Sequence, residues 1–424
     1  MTTLEPTIFR EYDIRGIADT ELTDPAVTQI AAAIATVFVR EGKKKIALGR
    51  DGRPSSPRIA AVACQVLAQY GLTILDLGMV PTPLTYFATF HLDLDGAVMI
   101  TASHNPGEYN GVKIMVGKAP LFGEGLQELY RIAAAGQFPP EIPGRVEPTS
   151  LLDEYMDYVA AGVKLDRKIK VVVDAGNGTG GLTAGPLYRR LGAEVTELFC
   201  DVDGSFPNHH PDPTKLENLK ALTAKVAETG ADLGIGLDGD ADRIGVIDNR
   251  GRVLWGDQLL VLFSRDILQR HPGAKVISEV KASEVLYSDV AKHGGVPIMW
   301  KTGHSLIKKK IREENALIAG EMSGHMFFND KWPGFDDAVY AGARLLELLS
   351  AQSRSLADLR DTIPSAVNTP EIRVDTKDDQ TKFAIVAEIQ RHFRQTRQVI
   401  DIDLTAPFIV ATSLGIGECS PNCS

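Results

Sequence analysis

"ADLGIGLDGDADRIGVID", residues 231–248, sets two short apolar runs around three aspartates at every second position, Asp238, Asp240 and Asp242, spaced only by Gly239 and Ala241. The runs "DLGIGL" and "IGVID" predict strands on both sides, so the loop between them is tight. Glycine and alanine let its backbone fold closely around a hard cation, and carboxylate oxygens suit magnesium or calcium. An EF-hand would need glycine at its sixth position and glutamate at its twelfth, where Arg243 and Asn249 stand. A merely solvated acidic turn is the weaker reading, because three neighbouring carboxylates repel one another without a counter-ion. Arg243, inside the same loop, would meet a phosphate or carboxylate beside the metal.

The strand entering the aspartates is one of a set that recurs. "KKIALGRDGR", "KIKVVVDAGNG" and "AKVISEVKAS" are each a β-branched strand running into a polar or glycine-containing loop. After a helical segment comes a second strand headed by glycine: "GLTILDLGMVPTP", "GAEVTELFCDVDG" and "GVPIMWKTGHS". Another helical stretch leads to a third: "DGAVMITASHNP", "ADLGIGLDGDADR" and "NALIAGEMSGH". The pattern predicts three consecutive similar α/β units. If they share topology, the loops at Ser103, at 238–243 and at 321–325 occupy equivalent strand ends, where α/β sheets place ligands. Breaks in the Pro-rich stretch 137–148, near 249–256 and near 361–370 divide the chain into expected domains at 1–147, 148–252 and 253–365, with a shorter segment at 366–424.

Bulk properties agree with a multidomain globular protein. The 424 residues are 44% hydrophobic, enough for several cores. The longest apolar run, residues 30–39, is too short for a membrane span and is closed by Arg40. The N-terminus lacks the basic start and apolar stretch of a secretory signal, and four cysteines do not make a disulfide framework, so a cytoplasmic location and no membrane partner are expected. A net charge of −10 without a long basic stripe argues against nucleic-acid binding.

"ITASHNPGEYNGVK", residues 100–113, exposes one serine after a hydrophobic strand. It is not the G-x-S-x-G elbow of a hydrolase. Paired with a three-carboxylate loop at an equivalent strand end, Ser103 reads as a residue that carries a phosphoryl group, one of whose oxygens would complete a magnesium shell. A competing motif, Gly176, Gly178 and Gly181 in "DAGNGTGG", formally satisfies G-x-G-x-x-G, but a dinucleotide oxidoreductase would leave the serine and aspartate loops without work. The "KKK" runs at 43–45 and 308–310 read as solvated faces, and His209 and His210 as parts of a proline-bounded structural loop.

Taken together, "FREYDIRG", "TASHNP", "DGDADR", "KTGHS" and "GEMSGH" resemble the α-D-phosphohexomutase superfamily, and within it the bacterial phosphomannomutase/phosphoglucomutase group, over about residues 8–365. The resemblance implies three mixed-sheet α/β domains around a central cleft, closed by a shorter α+β fourth. It implies a monomer or weak dimer that interconverts the 1- and 6-phosphates of glucose and mannose. Ser103 would be the phosphoserine, Asp238, Asp240 and Asp242 would hold Mg2+ together with the Ser103 phosphate, and a hexose 1,6-bisphosphate would be both intermediate and activator. Arg15, His104, Lys113, Arg243, Lys281 and His304 would surround the transferring phosphate and sugar, with His304 and Lys113 the candidates for acid and base. Gly303 and His325 would bind substrate, and Tyr12 would line the cleft. Glu321 can accept two hydroxyl hydrogens and Ser323 adds a contact, which suits the sugar's O3 and O4. An amino-sugar mutase and an impaired sugar-phosphate binder remain alternatives. The latter follows from the tail: the family's remote-phosphate loop, R-x-S-x-T-x-P, is missing, and "LTAPFIVATSLGIGECSPNCS" places two of the four cysteines in the last six residues. An incomplete or aberrant fourth domain is the expectation there, poorly ordered from about Leu404.

Overall fold

The computed structural model describes residues 4–365, strand positions 399–403 and 409–412, and a few helical positions between 381 and 392. The first part of the chain runs β1 (Ile14–Ile17), α1 (Asp24–Arg40), β2 (Lys45–Arg50), α2 (Ser56–Gln69), β3 (Thr73–Met79), α3 (Thr82–His91), β4 (Gly96–Ile100), β5 (Tyr109–Val116), β6 (Ala119–Pro120), α4 (Glu124–Ala135) and β7 (Arg145–Pro148). The second comprises α5 (Leu152–Gly162), β8 (Lys170–Asp174), α6 (Ala184–Arg190), β9 (Glu194–Leu198), α7 (Lys220–Thr229), β10 (Leu233–Leu237), β11 (Ile244–Asp248) and β12 (Val253–Leu254). The third comprises α8 (Gly256–Arg270), β13 (Lys275–Glu279), α9 (Glu284–Lys292), β14 (Val296–Trp300), α10 (His304–Glu314), β15 (Ile318–Gly320), β16 (Met326–Phe328), α11 (Ala338–Ser350) and α12 (Leu356–Arg360).

Each part builds its own sheet around one shared four-strand order: β3-β2-β4-β5, β9-β8-β10-β11 and β14-β13-β15-β16. In all three, the first three strands are parallel and the fourth is antiparallel to the third. The sequence repeat is therefore a repeat of topology. Near-continuous apolar runs such as β8 and β10 suit strands covered by helices on both faces, and every residue of β10 and β11 is buried. The Ser103, aspartate and Glu321 loops each connect the third strand of their sheet to the fourth. That shared position turns three points distant in sequence into neighbours.

Two expected divisions fall inside sheets. The Pro-rich stretch ends in β7, which pairs parallel with β3 at the edge of the first sheet, a position where proline is tolerated. A cut after residue 252 would split the β11–β12 hairpin, whose second strand pairs with Val246 and Ile247. The expected fourth domain at 366–424, with its tail from Leu404, lies outside the described residues except for the antiparallel pair β17 (Val399–Asp403) and β18 (Ile409–Thr412) and the few helical positions. Among the described residues, no helix is long and apolar enough to cross a membrane.

One apolar core runs through all three units, from Leu75 and Phe87 through Val171 and Ile235 to Ile318 and Leu346. Aromatic rings tie the seam: Phe87 of α3 meets Tyr155 of α5 edge-on at 5.4 Å and stacks on Trp332 at 5.9 Å. A second seam joins the loop after β2 to the loop after β9. A Cβ on Gly204 would lie 2.3 Å from the Gly52 carbonyl oxygen and 2.5 Å from the Arg53 Cα, both backbone atoms that cannot swing aside. Gly204→Ala must open this seam, and a stability loss of roughly 1–3 kcal/mol in chemical denaturation is expected. A neutral result would mean that the two loops part freely.

Candidate functional site

The β4–β5 loop holds Ser103 in a left-handed conformation, φ 51°, uncommon for a residue with a side chain. Its amide donates to Thr101 Oγ1 at 2.9 Å, and its hydroxyl donates to Asp238 Oδ2 at 2.8 Å, with His104 Nδ1 3.1 Å away. The serine of the first unit and the aspartates of the second therefore touch. Close packing of the two loops requires glycine at 239, where a Cβ would meet the Ser103 carbonyl oxygen at 2.6 Å.

All three aspartates are fully buried. Asp238 Oδ1 accepts the amides of Asp242 and Arg243, each at 3.0 Å, which curls the loop on itself. Asp240 Oδ2 accepts from Thr82 Oγ1 at 2.5 Å and from Lys113 Nζ at 2.7 Å, while Asp242 Oδ2 accepts from the same ammonium at 2.6 Å. Burial, reinforced by Asp242 and Asp240, holds the Asp238 carboxyl well above the usual range. Against their own burial, Asp240 and Asp242 are held below it, chiefly by Lys113. Oδ1 of Asp240 and Oδ1 of Asp242 are buried without a hydrogen-bond partner, and oxygens from all three carboxylates lie within 4.8 Å of one another. Convergent carboxylates with unpartnered oxygens fit a hard divalent cation, of which magnesium is one.

The third wall comes from the β14–α10 and β15–β16 loops. Glu321 is buried, its Oε1 accepts the Gly303 amide at 2.7 Å, and burial, then the nearby Glu279, pushes its pKa up to about 7. The Tyr12 hydroxyl donates to the Thr302 carbonyl at 2.9 Å, and its ring meets His304 edge-on at 5.8 Å. His304 and His325 lie near-parallel with centroids 5.2 Å apart, and Nδ1 of each reaches Asp336 Oδ2, at 3.3 and 3.1 Å. Burial, then Lys308, lowers the His304 pKa to about 4. Arg243 Nε donates to His325 Nε2 at 3.0 Å, and Arg15 donates to Asn105 Oδ1 at 2.8 Å. His104 is pushed down to about 3 by burial and then by Arg243. Lys281 Nζ stands 3.6 Å from Glu279 Oε2, and Ser323 is half-buried in the β15–β16 loop.

The expected residues thus converge, but the sequence reading missed the groups behind them. The "KKK" run at 308–310 is not a solvated face throughout: Lys308 is buried, donates to Asp336 Oδ1 at 2.8 Å and lies 4.3 Å from the Tyr86 ring centre. Helical spacing carried the signal, since Lys308 follows His304 by four residues and shares the buried face of α10 with Ile307 and Ile311. Asp336 and Glu279 were also missed. Glu279 accepts the Thr302 hydroxyl at 2.5 Å and the Met322 amide at 2.8 Å, joining the two loops of the third wall. Among the glycines of the dinucleotide-like motif, 178 and 181 face protein backbone: a Cβ would lie 2.6 Å from the Gly239 oxygen and 2.0 Å from the Cys200 oxygen. His209 bonds Asp174 at 3.0 Å, as a structural loop residue does.

Models described as phosphoglucomutase/phosphomannomutase alpha/beta/alpha domains I, II and III match residues 6–139, 153–251 and 255–366. A phosphoglucomutase from Neisseria gonorrhoeae is 45% identical over 406 residues, covering 95% of this chain and 88% of that protein. A phosphomannomutase/phosphoglucomutase from Pseudomonas aeruginosa (strain PAO1) is 45% identical over 389 residues, covering 92% of this chain and 84% of that protein. A crystal structure of a phosphoglucomutase/phosphomannomutase family protein from Burkholderia thailandensis superposes with a TM-score of 0.90 at 38% identity, over 97% of this chain and 89% of that one.

Proposed function

Because this chain belongs to the phosphoglucomutase/phosphomannomutase family, the bacterial group of the α-D-phosphohexomutases, we propose that it interconverts the 1- and 6-phosphates of glucose and mannose through a phosphorylated Ser103. It is an isomerase of the hexose-phosphate mutase class. The observation that carries the finer reading is the 2.8 Å contact between Ser103 Oγ and Asp238 at the seam of two units. It aims a nucleophilic oxygen at a carboxylate cluster with unpartnered oxygens.

Asp238, Asp240 and Asp242 would hold Mg2+, which when bound supplies positive charge against the phosphoryl oxygens during transfer. The chain's own groups do the rest. The phosphoryl group leaves Ser103 Oγ for a sugar hydroxyl oxygen, whose proton passes to a base while an acid protonates the departing Oγ. The bisphosphorylated sugar then turns over, and its other phosphoryl group returns to Ser103 as the serine gives up that proton and the sugar oxygen takes one, so that every bond broken on the enzyme is remade. His304 fits the base role: it is neutral at pH 7, and Asp336 beside Nδ1 favours the tautomer that leaves a lone pair on Nε2. Lys113, Arg243 and Arg15 place cations around the transferring group, and Lys281 extends that charge along the third wall. Glu321 and Ser323 grip O3 and O4, with Gly303, Tyr12 and His325 shaping the cleft around them.

This grip has a consequence for sugar choice. Glucose and mannose differ at C2, which the grip ignores, whereas galactose differs from glucose at C4. Losing a hydrogen bond in a buried polar site costs on the order of 1–3 kcal/mol, about ten- to a hundredfold. Phosphorus NMR should show glucose 1-phosphate and mannose 1-phosphate turned over with kcat/KM within about tenfold of each other, and galactose 1-phosphate at least about tenfold more slowly. Equal use of all three would refute the O3/O4 assignment, and no turnover of any hexose phosphate would refute the function.

A further inference from the structure

Among the described residues, the bulkiest fully buried side chains are headed by a charged one, Arg53, in the loop that follows β2. Its guanidinium uses all five N–H donors. Nε donates to Asp51 Oδ2 at 3.1 Å. Nη1 donates to the carbonyls of Pro106 and Tyr109, at 2.6 and 3.0 Å, and Nη2 to those of Ser103 and Asn105, at 2.8 and 2.6 Å. Four of the five acceptors are therefore backbone oxygens of one stretch, three in the β4–β5 loop and one on the first residue of β5, and this stretch wraps around the guanidinium.

We propose that Arg53 is a positioning residue for phosphoryl transfer, fixing Ser103 by acting as the internal template of the loop that carries it. The inference rests on the assignment of Ser103 as the phosphoryl-carrying residue. Arg53 is 1% exposed, and its side-chain bonds go to Asp51 and the loop carbonyls, so its effect on a substrate must pass through the loop. The segment between β4 and β5 continues the neighbouring ladders at its ends, Thr101 N donating to Gly111 O at 3.1 Å and Ala18 N to Glu108 O at 2.9 Å, and between them Ser103 occupies a left-handed conformation that its surroundings must enforce. The bond to its carbonyl oxygen anchors it from behind, while the hydroxyl faces Asp238. Asp51 completes the frame: its amide donates to Ile100 O at 2.9 Å, and its Oδ1 accepts the Ser56 hydroxyl at 2.5 Å, so the template is tied to the ends of β2, β4 and α2. Phe206 of the second unit lies 5.3 Å from the guanidinium and closes the remaining side. A planar fork can serve four diverging carbonyls and a carboxylate at once. A lysine ammonium, with three donors on a single nitrogen, cannot.

The test is Arg53→Lys in the full chain, with three readouts. Amide hydrogen exchange across residues 101–109 should speed up at least about tenfold while the melt stays cooperative. For glucose 1-phosphate, kcat should fall about a hundredfold with KM within about threefold, because misplacing the nucleophile penalises the transfer and leaves the sugar grip on the third unit intact. Intact-protein mass spectrometry after incubation with glucose 1,6-bisphosphate should show phosphate arriving on Ser103 more slowly than in the parent chain. Unchanged loop exchange, unchanged kcat, a loss carried by KM, or global unfolding would each overturn the proposal, the last by making Arg53 a general scaffold residue. If the parent chain never takes phosphate on Ser103, the phosphoserine reading fails independently, and the exchange data still decide whether Arg53 orders the loop.

Discussion

Ser103→Ala is expected to lower the turnover of glucose 1-phosphate by at least ~10⁴-fold while leaving hexose-phosphate binding within a few-fold of the parent chain. The substitution removes one oxygen. The backbone keeps its anchor, because Arg53 and the Thr101 hydroxyl bond the carbonyl and amide of residue 103 and not its side chain. Arg243, Glu321 and Gly303 belong to other units and stay in place, so the groups proposed to grip the sugar and its phosphates are undisturbed. What is lost is the atom to which a phosphoryl group can be attached and from which it departs. Intact-protein mass spectrometry should find one phosphate on the parent chain after exposure to glucose 1,6-bisphosphate and none on the variant. A variant that still takes up phosphate, or that retains more than a percent of the parent rate, would place the nucleophile elsewhere.

The contrast between Ser103 and Arg53 marks what the sequence reveals of this site and what it hides. Ser103, the aspartates and Glu321 were legible because each follows an apolar run at the same place in a repeating strand pattern, and chain topology delivers such loops to one end of their sheets. Arg53 sits in "GRDGR", a loop with the same credentials, yet its acceptors are mostly backbone carbonyls, which leave no mark in the amino-acid sequence. Lys308 was hidden by its neighbours. Three consecutive lysines read as a charge run, although Lys308 on the His304 face of α10 is buried and Lys310 lies half-buried over the Trp300 ring, while Lys309 remains exposed. Asp336 lies in a segment without strand or helix periodicity, and its meaning arises only when His304, Lys308 and His325 converge on its carboxylate. Periodicity encodes where a backbone goes. It does not encode which buried charges will find each other across units, and those pairings supply most of what the sequence left out.

The pairing of Lys113 leads to the second large expected effect. Its side chain is 6% exposed and its ammonium bridges Asp240 and Asp242, so within the protein alone it is the cation bonded to two carboxylates buried beside a third. Removing one partner of a buried ion pair typically costs ~3–5 kcal/mol, because the charges left behind lose both water and counter-ion. Lys113→Met keeps much of the side chain's apolar length and deletes only the charge. In the presence of a chelator the variant should therefore melt well below the parent chain. A divalent cation bound by the same carboxylates replaces the missing charge, and ligand binding to the folded state stabilises it by mass action. Saturating magnesium should then raise the variant's melting temperature more than the parent's and close most of the gap between them, while calcium, with its looser coordination, serves as the comparison ion. Turnover should stay at least about a hundredfold down even in magnesium, since a restored fold does not restore the ammonium proposed to stand beside the transferring phosphoryl group. A gap that is equal with and without magnesium would show that the cation does not bind at Asp238, Asp240 and Asp242. A gap near zero in both would show that the three carboxylates accommodate one another without Lys113, which their burial and the short contacts to its nitrogen argue against.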